Sequence, residues 1–433
     1  MLEKLEGKRI GVIGVGVSNR PLIRFLLSKG FNITAFDKDD KADITDLGCD
    51  CILGENYLDE INEYDVIFRT PGLKPNLLKD FKGLVTSEME LFLEETPARI
   101  IAVTGSDGKT TTTTIIYELL KKQGLTAFVG GNIGSPLVEQ LEQMNEESYA
   151  VLELSSFQLM TLKSRIHTAV ITNIEPNHLD WHTDMQEYID AKKNIFLFQA
   201  QTDRLVINAD NKITNEFVGN GETLRFSMKN NKCNGYSDAE EIYINQDFLM
   251  DAHDILIVGR HNIENYMAAI LAVWGVVTQP NIIAVAKEFS GVEHRLEFVR
   301  ELDGVRYFND SIGTSPTRTI AGLNSFNQKV ILIAGGYDKK IPFDSLGIEI
   351  CRHVKILILT GDTSEKIKKA TIDSDLEPPV IIDAIDLETA INLASQEATA
   401  GDVVLLSPAC AAFDRFKNFM VRGKLFKELV NKL

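Results

Sequence analysis

The sequence has little that would indicate a secreted, membrane-spanning or nucleic-acid-binding protein. Five cysteines among 433 residues form no paired spacing, so we predict neither a disulfide framework nor a zinc site. No apolar run reaches the length of a bilayer, and the N-terminal segment is charged, so we expect a cytoplasmic protein without a membrane partner. Lys and Arg total 45 against 62 Asp and Glu, a net charge of −17, which argues against nucleic acid as a partner.

What is present is an alternation of short Val- and Ile-rich runs with helix-like stretches, in a chain that is 44% hydrophobic and 25% charged. This pattern is typical of the α/β class, with parallel sheets covered by helices. A polar patch around 219–247 is expected to be antiparallel or irregular. The predicted strands are 9–15, 32–36, 66–69, 100–104, 150–154, 169–174, 204–208, 255–258, 305–309, 330–334, 356–360, 380–383 and 403–406.

The length predicts two to four domains, and composition divides the chain into three blocks. The first block is 1–96 and ends with an acidic, proline-containing segment. The second is 97–293, and the third is 294–433. No internal repeat interrupts this division.

The most informative segment is the glycine-rich loop Gly105-Ser-Asp-Gly108-Lys109-Thr110-Thr111. It follows an apolar β-branched run and opens a helix-like pattern. A strand that turns through glycines into a helix directs several backbone N–H groups, and the positive end of the helix dipole, at one point. We therefore predict a phosphate site in which Lys109 supplies a full charge and the Thr110 hydroxyl reaches Mg²⁺. The first glycine of the general pattern is replaced by Val103.

A second glycine-containing turn, Gly14-Val-Gly16-Val-Ser18-Asn19, follows the first predicted strand. It is half of a dinucleotide-binding fingerprint, with Asn19 at the third glycine, and Asp37 ends the next strand. Thr70 follows the third strand and is a candidate for the same site. Two interpretations remain open: a nucleotide diphosphate site, or a tight turn whose glycines serve packing alone.

Polar residues also follow the strands of the second block. Glu153 interrupts an apolar strand, and Asn132 lies in a glycine-flanked turn. A buried glutamate is costly unless it is paired or bound to a metal, so Glu153 is either a magnesium ligand or a salt-bridged core residue. His178 and Asp180 follow another strand and could line the same site. His178 and His182 lack the further ligands of a zinc site.

Other polar residues do not indicate a particular function when each is considered alone. Lys192 and Lys193 are adjacent on a predicted helix and read as surface lysines. Arg295 lies near the junction of the second and third blocks, where it would either reach a γ-phosphate or form an interdomain salt bridge. The strand-end segments 335–340 and 407–416 would form the rim of a site for a small anionic ligand.

Taken in order, the segments resemble the Mur ligase family over essentially the whole chain, and most closely its D-glutamate-adding members. The segments that carry the resemblance are GSDGKTT, GNIG, LELSSFQL, TNIEPNHLDWH, YIDAKKNIF, GRHNIEN, HRLEFV, YFNDSIGTSPT, GGYDKK and LSPACAAFDRFKNF.

The resemblance implies three domains: a Rossmann-like domain that binds a UDP substrate, a central P-loop ATPase-type domain, and a Rossmann-like domain that binds the amino acid. The implied reaction adds D-glutamate to UDP-N-acetylmuramoyl-L-alanine through an acyl phosphate, in cytoplasmic peptidoglycan precursor synthesis. ATP, two Mg²⁺ ions and a CO₂-derived carbamate on Lys192 are the implied cofactors. We expect a monomer.

The resemblance also implies a role for individual residues. Lys109, Asn132, His178 and Lys192 would be catalytic, and Thr110, Glu153, His178 and carbamylated Lys192 would bind metal. ATP would contact Gly105, Ser106, Asp107, Gly108, Lys109, Thr110, Thr111, Asn265, Arg295 and Asp310, and the other substrates would contact Ser18, Asp37, Thr70, Thr314, Lys339 and Phe419.

Three positions depart from the family pattern. Asn19 replaces a glycine, Ile312 stands where many members have lysine, and Ala412 stands where many have a serine that binds D-glutamate. The alternatives are a ligase that adds a different amino acid, a nucleotide-binding regulator without the chemistry, and an NAD-dependent oxidoreductase, which the first block alone would suggest.

Overall fold

The computed structural model describes residues 1–179 and 181–433, and it contains three sheets. The chain forms two compact units, one of residues 1–252 and 264–285 and the other of residues 253–263 and 286–433. Within the described residues, no helix combines the length and the apolar character needed to cross a membrane.

The first sheet is entirely parallel, with strand order β3-β2-β1-β4-β5. Its central strand β1 is buried, because each of its residues is apolar or glycine and helices cover the sheet. The strands are β1 (Ile10–Ile13), β2 (Ile33–Asp37), β3 (Asp50–Leu53), β4 (Val66–Phe68) and β5 (Leu84–Thr86), and the helices are α1 (Leu2–Leu5), α2 (Asn19–Ser28) and α3 (Glu88–Glu95), with 3₁₀ turns at Ile61–Glu63 and Pro75–Leu78.

The second sheet has nine strands in the order β14-β13-β12-β11-β10-β9-β6-β8-β7. Strands β7 to β12 are parallel with β6, whereas β12, β13 and β14 form antiparallel hairpins. The strands are β6 (Arg99–Thr104), β7 (Ala127–Gly131), β8 (Tyr149–Glu153), β9 (Thr168–Ile171), β10 (Arg204–Asn208), β11 (Glu222–Ser227), β12 (Gly235–Asp238), β13 (Glu241–Ile244) and β14 (Asp247–Asp251), and the helices that follow them in the chain are α4 (Lys109–Lys122), α5 (Ser156–Leu159), α6 (Met185–Leu197), α7 (His261–Ala272) and α8 (Gln279–Glu288).

The third sheet has the order β15-β16-β20-β17-β18-β19, and only the β15–β16 pair is antiparallel. Apolar side chains pack on both faces, as expected for parallel strands between helices. The strands are β15 (Glu297–Leu302), β16 (Val305–Asn309), β17 (Val330–Ala334), β18 (Val354–Leu359), β19 (Val380–Asp383) and β20 (Val403–Leu406), and the helices are α9 (Pro316–Leu323), α10 (Asp344–His353), α11 (Ser364–Ile372), α12 (Leu387–Glu397) and α13 (Phe419–Val430).

The predicted fold class is confirmed, but one predicted strand is wrong. Residues 255–258 form no strand and follow a 3₁₀ turn at Ala252–Asp254. The Leu256 amide donates a single bond to the Ala286 carbonyl, and Val258 packs against the core of the second unit. A short apolar run has the same appearance in a strand and in a partly buried loop, so periodicity alone did not separate them. The boundaries near 97 and 294 stay predictions.

Candidate phosphate and metal site

The glycine-rich loop joins β6 to α4 at the carboxyl edge of the second sheet. Gly108 caps α4 with a φ of 78°, and Gly105 has a φ of 154°. A Cβ at Gly105 would lie 1.9 Å from Thr172 Oγ1, and one at Gly108 would lie 2.4 Å from Asn265 Oδ1. Both positions therefore require glycine, and the loop leads directly into the first N–H groups of a 14-residue helix. This geometry is that of an anion-binding site.

Lys109 lies over this loop. Its Nζ donates to the Gly105 carbonyl at 3.0 Å and to the Ser106 carbonyl at 2.9 Å. The Asp107 amide donates to Asn173 Oδ1 at 2.9 Å, and the Ser106 hydroxyl donates to the Glu175 carbonyl at 2.8 Å. The loop is thus held in place by the segment after β9, because β9 is the neighbour of β6 in the sheet.

Glu153 is only 2% exposed and ends β8, the other neighbour of β6. The Thr110 hydroxyl donates to its Oε2 at 2.6 Å, and the exposed Asn132 amide donates to its Oε1 at 2.7 Å. The structure thus brings together three predicted site residues. Two neutral donors bind the carboxylate, and its charge also acts on buried Lys192, so both interpretations of Glu153 stay predictions.

A hydroxyl, a carboxylate and a phosphate-binding loop fit Mg²⁺, which takes few protein oxygens and completes its shell with phosphate and water. Within residues 1–179 and 181–433, no group of three or more His, Cys, Asp or Glu side chains could hold a metal ion. The residues present therefore fit a nucleotide-bound ion better than a cage made by protein alone.

Lys192 is 1% exposed, so its interpretation as a surface lysine is wrong. From α6 its Nζ donates to the Gly105 carbonyl at 2.8 Å and to Thr104 Oγ1 at 3.2 Å. Burial, and next the charge of Lys109, hold the pKa of Lys192 well below its usual value. A lysine that favours its neutral amine has the form that reacts with CO₂. Lys193 instead lies near Asp190 at the surface.

The loop after β9 carries the predicted histidines. His178 is exposed with a φ of 55°, and its ring lies 5.0 Å from that of Phe157. His182 is buried, and its Nε2 lies 2.9 Å from Ser156 Oγ. Burial lowers the pKa of His182. Asp180 lies outside the described residues. The role of His178 as a metal ligand stays a prediction.

Asn265 is brought to the start of α4. The Thr112 hydroxyl donates to Asn265 Oδ1 at 3.2 Å, and the same oxygen lies beside Gly108. Sequence reasoning missed Tyr188, whose hydroxyl lies 2.9 Å from Ser106 Oγ and whose ring lies under Lys192 Nζ at 4.8 Å. Its spacing, four residues before Lys192 on one helix, was the available signal.

The first glycine turn joins β1 to α2. The Val15 amide donates to Asp37 Oδ2 at 2.9 Å, and a Cβ at Gly14 would lie 3.0 Å from the Thr70 side chain. Asp37, Thr70 and Ser18 at the N-cap of α2 therefore surround one turn. Asn19 is buried, and its Nδ2 donates to the Ile13 carbonyl at 2.8 Å. Asn19, which replaces the third glycine of the fingerprint, thus stabilises the turn through a buried hydrogen bond.

The predicted residues of the third block lie at the carboxyl edge of the third sheet. Asp310 is buried, accepts a bond from the Ser407 hydroxyl at 2.7 Å, and has its pKa raised to about 7 by burial. Lys339 Nζ donates to the Thr314 carbonyl at 3.0 Å. The Phe419 carbonyl accepts a bond from the Ser311 hydroxyl at 2.8 Å. Arg295 is half-buried, and its charge acts on Asp310.

Comparison with known proteins places these sites in a family. The Mur ligase middle-domain model matches residues 103–273, and the Mur ligase glutamate ligase domain model matches residues 294–410. The chain belongs to the Mur ligase family. It is 48% identical over 99% of its length, and 98% of the relative, to UDP-N-acetylmuramoylalanine–D-glutamate ligase of Clostridium kluyveri. It is 49% identical over 100% of its length, and 98% of the relative, to the protein of that name in Acetivibrio thermocellus.

Solved structures share the fold of this Mur ligase at low sequence identity. UDP-N-acetylmuramate-alanine ligase of Thermotoga maritima has a TM-score of 0.59 and 17% identity, with 98% of this chain and 99% of that chain covered. A UDP-N-acetylmuramoyl-L-alanyl-D-glutamate–2,6-diaminopimelate ligase has a TM-score of 0.59 and 19% identity, with 99% and 94% covered. These likenesses support the architecture of three parallel-sheet regions.

Proposed function

We propose that this Mur ligase adds D-glutamate to UDP-N-acetylmuramoyl-L-alanine, with hydrolysis of ATP to ADP and phosphate, in peptidoglycan precursor synthesis. The observation that carries the proposal is the meeting of Lys109, Thr110, Glu153 and Lys192 at one glycine loop. This loop belongs to a chain nearly half identical, over its whole length, to ligases with that name.

The proposed chemistry begins with attack of the substrate's terminal carboxylate on the γ-phosphorus of ATP. One P–O bond forms and the bond to the leaving ADP breaks, which produces an acyl phosphate. The amine of D-glutamate then attacks the acyl carbon, loses a proton and displaces phosphate, so an amide forms. Both reactants of the first step are anions, which is why the loop amides and Lys109 are needed to screen their repulsion.

Three groups of residues divide this work. The loop 105–111 would bind the ATP phosphates, and Asn265 would contact the nucleotide. Thr110 and Glu153 would hold Mg²⁺, which neutralises developing charge on phosphate oxygens. His178 and a carbamate on Lys192 would hold a second ion. The carbamate would turn a buried amine into an anionic oxygen ligand.

The remaining predicted residues would bind the uridine diphosphate, D-glutamate and part of ATP. Ser18, Asp37 and Thr70 would contact the uridine diphosphate at the N-terminus of α2, where the helix dipole favours an anion. Thr314, Lys339 and Phe419 would contact D-glutamate, and Arg295 and Asp310 would contact ATP. We also propose that the protein is a monomer and acts in the cytoplasm.

The test is release of phosphate by the purified protein with ATP, Mg²⁺, UDP-N-acetylmuramoyl-L-alanine and a panel of amino acids. We expect release with D-glutamate and none when either carbon substrate is omitted. Activity with a different amino acid would overturn the assignment of D-glutamate. ATP hydrolysis that never depends on an amino acid would favour a regulator.

A Lys109→Ala variant tests the loop itself. We expect loss of ligation in a protein that melts as the wild type does, because Lys109 lies at the loop and not in the core. Lys122→Ala, at the far end of the same helix, is the control. Wild-type turnover in Lys109→Ala would reject the role of the loop in phosphate transfer.

A further inference from the structure

Arg422 is a buried arginine whose guanidinium is held by carbonyl and hydroxyl oxygens. It lies on α13 and is 4% exposed. Its guanidinium donates to Ser311 Oγ at 3.0 Å and to three carbonyls, those of Ser311 at 2.9 Å, Cys410 at 3.1 Å and Ala411 at 3.3 Å. Among the described ion pairs, none places a carboxylate within 4.0 Å of it. Buried arginines are normally paired with a carboxylate, so Arg422 is unusual in being held mainly by carbonyl oxygens.

Arg422 joins the segments that carry the proposed amino-acid site. The Ser311 hydroxyl that it binds donates in turn to the Phe419 carbonyl, and the Tyr337 amide donates to the Ala411 carbonyl. A Cβ at Gly336 would lie 3.2 Å from Arg422 Nη1. The guanidinium thus lies against the backbone of Ser311, Gly336, Cys410 and Ala411.

Two carboxyls, those of Asp414 and Asp310, act on the Arg422 charge without forming one of the described ion pairs with it. Burial raises the pKa of Asp310 to about 7 and also raises the pKa of Asp414. Burial lowers the pKa of Arg422 to about 10, which leaves the guanidinium charged at neutral pH. The four bonds use four of its five N–H groups. Arg422 also borders a cavity of about 20 Å³ with Gly336, Gly361 and Asp414, which is space for about one water molecule.

We propose that Arg422 is a specificity-determining positioning residue that selects an amino acid with a second carboxylate. Its fixed charge adds positive potential beside Ser311, Cys410 and Ala411, and its bonds hold the carbonyls of these residues towards the guanidinium. An amide isostere such as D-glutamine keeps only its α-carboxylate, so it gains less of this attraction. The inference rests on the proposed function and deepens it, because it adds a selecting residue that acts from behind the site.

The test compares Arg422→Gln, Arg422→Lys and wild type by phosphate release. For Arg422→Gln we expect at least a tenfold rise in KM for D-glutamate, a smaller preference for D-glutamate over D-glutamine, and KM values for ATP and the UDP substrate within twofold of wild type. Arg422→Lys should restore part of the preference. Arg352→Gln removes an exposed charge from α10 of the same unit and should change none of these values.

Chemical rescue separates selection from support of the fold. In Arg422→Ala, millimolar guanidinium chloride should lower the KM for D-glutamate without changing the KM for ATP. The proposal is overturned if Arg422→Gln keeps the wild-type preference for D-glutamate over D-glutamine, if all three KM values rise together, or if none of the three variants folds. If the wild-type protein releases no phosphate with D-glutamate, the proposed function itself is rejected. This measurement is made before any variant is compared.

Discussion

The hydroxyl of Thr110 donates a 2.6 Å hydrogen bond to the carboxylate of Glu153, 43 residues further along the chain. The first turn of α4 and the end of β8 thereby meet beside the phosphate loop. This pair brings a hydroxyl and a carboxylate of the proposed magnesium site to one point, and the relationship exists because β6 and β8 are adjacent parallel strands.

Replacement of Glu153 tests this pair. In Glu153→Gln we expect the Mg²⁺ concentration for half-maximal activity to rise by about tenfold or more, the scale on which the groups around a bound metal act. Titration of phosphate release with Mg²⁺ is the measurement. Glu147→Gln, exposed just before the same strand, is the control. An unchanged magnesium requirement would show that Glu153 has a structural role and does not bind the ion.

Lys192 and its neighbour Lys193 on α6 provide a test of the carbamate and its control. We expect Lys192→Ala to lose ligation and to regain part of it with added short-chain carboxylic acids, because such an acid replaces the carbamate oxygens. Lys193→Ala should keep wild-type activity, since that side chain is partly exposed.

Intact-protein mass measurement under bicarbonate provides a second readout. The wild type should carry the added mass of one CO₂, and Lys192→Ala should not. Full activity of Lys192→Ala without any acid would contradict the carbamate role.

Gly108 is a loop position where a side chain is not compatible with the fold. In Gly108→Ala the left-handed backbone costs about 1–2 kcal/mol, and the new methyl would lie 2.4 Å from Asn265 Oδ1. We expect a lower melting temperature and loss of ATP binding by calorimetry. Gly124→Ala has a similar φ of 83° and open space around it, so it measures the backbone strain alone. Equal effects of the two substitutions would show that the contact between the new methyl group and Asn265 contributes nothing to the loss.

Glu88 should make stability depend on pH. Burial raises its pKa from 4.5 to about 7 in the folded protein. Below pH 4.5 both states are protonated. As pH rises from 4.5 to about 7 the unfolded state ionises first, so the folded state loses about 3 kcal/mol.

Urea unfolding across this pH range measures the loss. In Glu88→Gln the contribution is absent, so the free energy of unfolding should fall less with pH than in wild type. Glu55→Gln, an exposed glutamate, should follow the wild-type curve. Parallel curves for Glu88→Gln and wild type would show that the carboxyl ionises normally.

Local sequence was sufficient for the parts of the site that local geometry controls. The glycines at 105 and 108 reveal a strand-to-helix loop because few other residues accept their backbone angles. The alternation of apolar runs indicates parallel sheets. It predicted a strand wrongly at 255–258, where a partly buried loop has the same apolar pattern as a strand.

Asn19 and Lys192 show where such reasoning ends. A missing glycine weakened the first fingerprint, yet the asparagine closes the turn through the Ile13 carbonyl. The residues around Lys192 indicated a surface lysine, and only the resemblance to a family suggested otherwise. The pattern of a helix shows which side chains are polar, but not which neighbouring element they face.

The order of residues thus determines the phosphate loop, the strand and helix segments and the family to which the chain belongs, since each depends on neighbours along the chain. Tertiary structure decided that Glu153 meets Thr110, that Lys192 is buried under the loop and that Arg422 donates to the carbonyls of Cys410 and Ala411. Those contacts join residues far apart in sequence, and they depend on the strand order and on which charges the packing excludes from water.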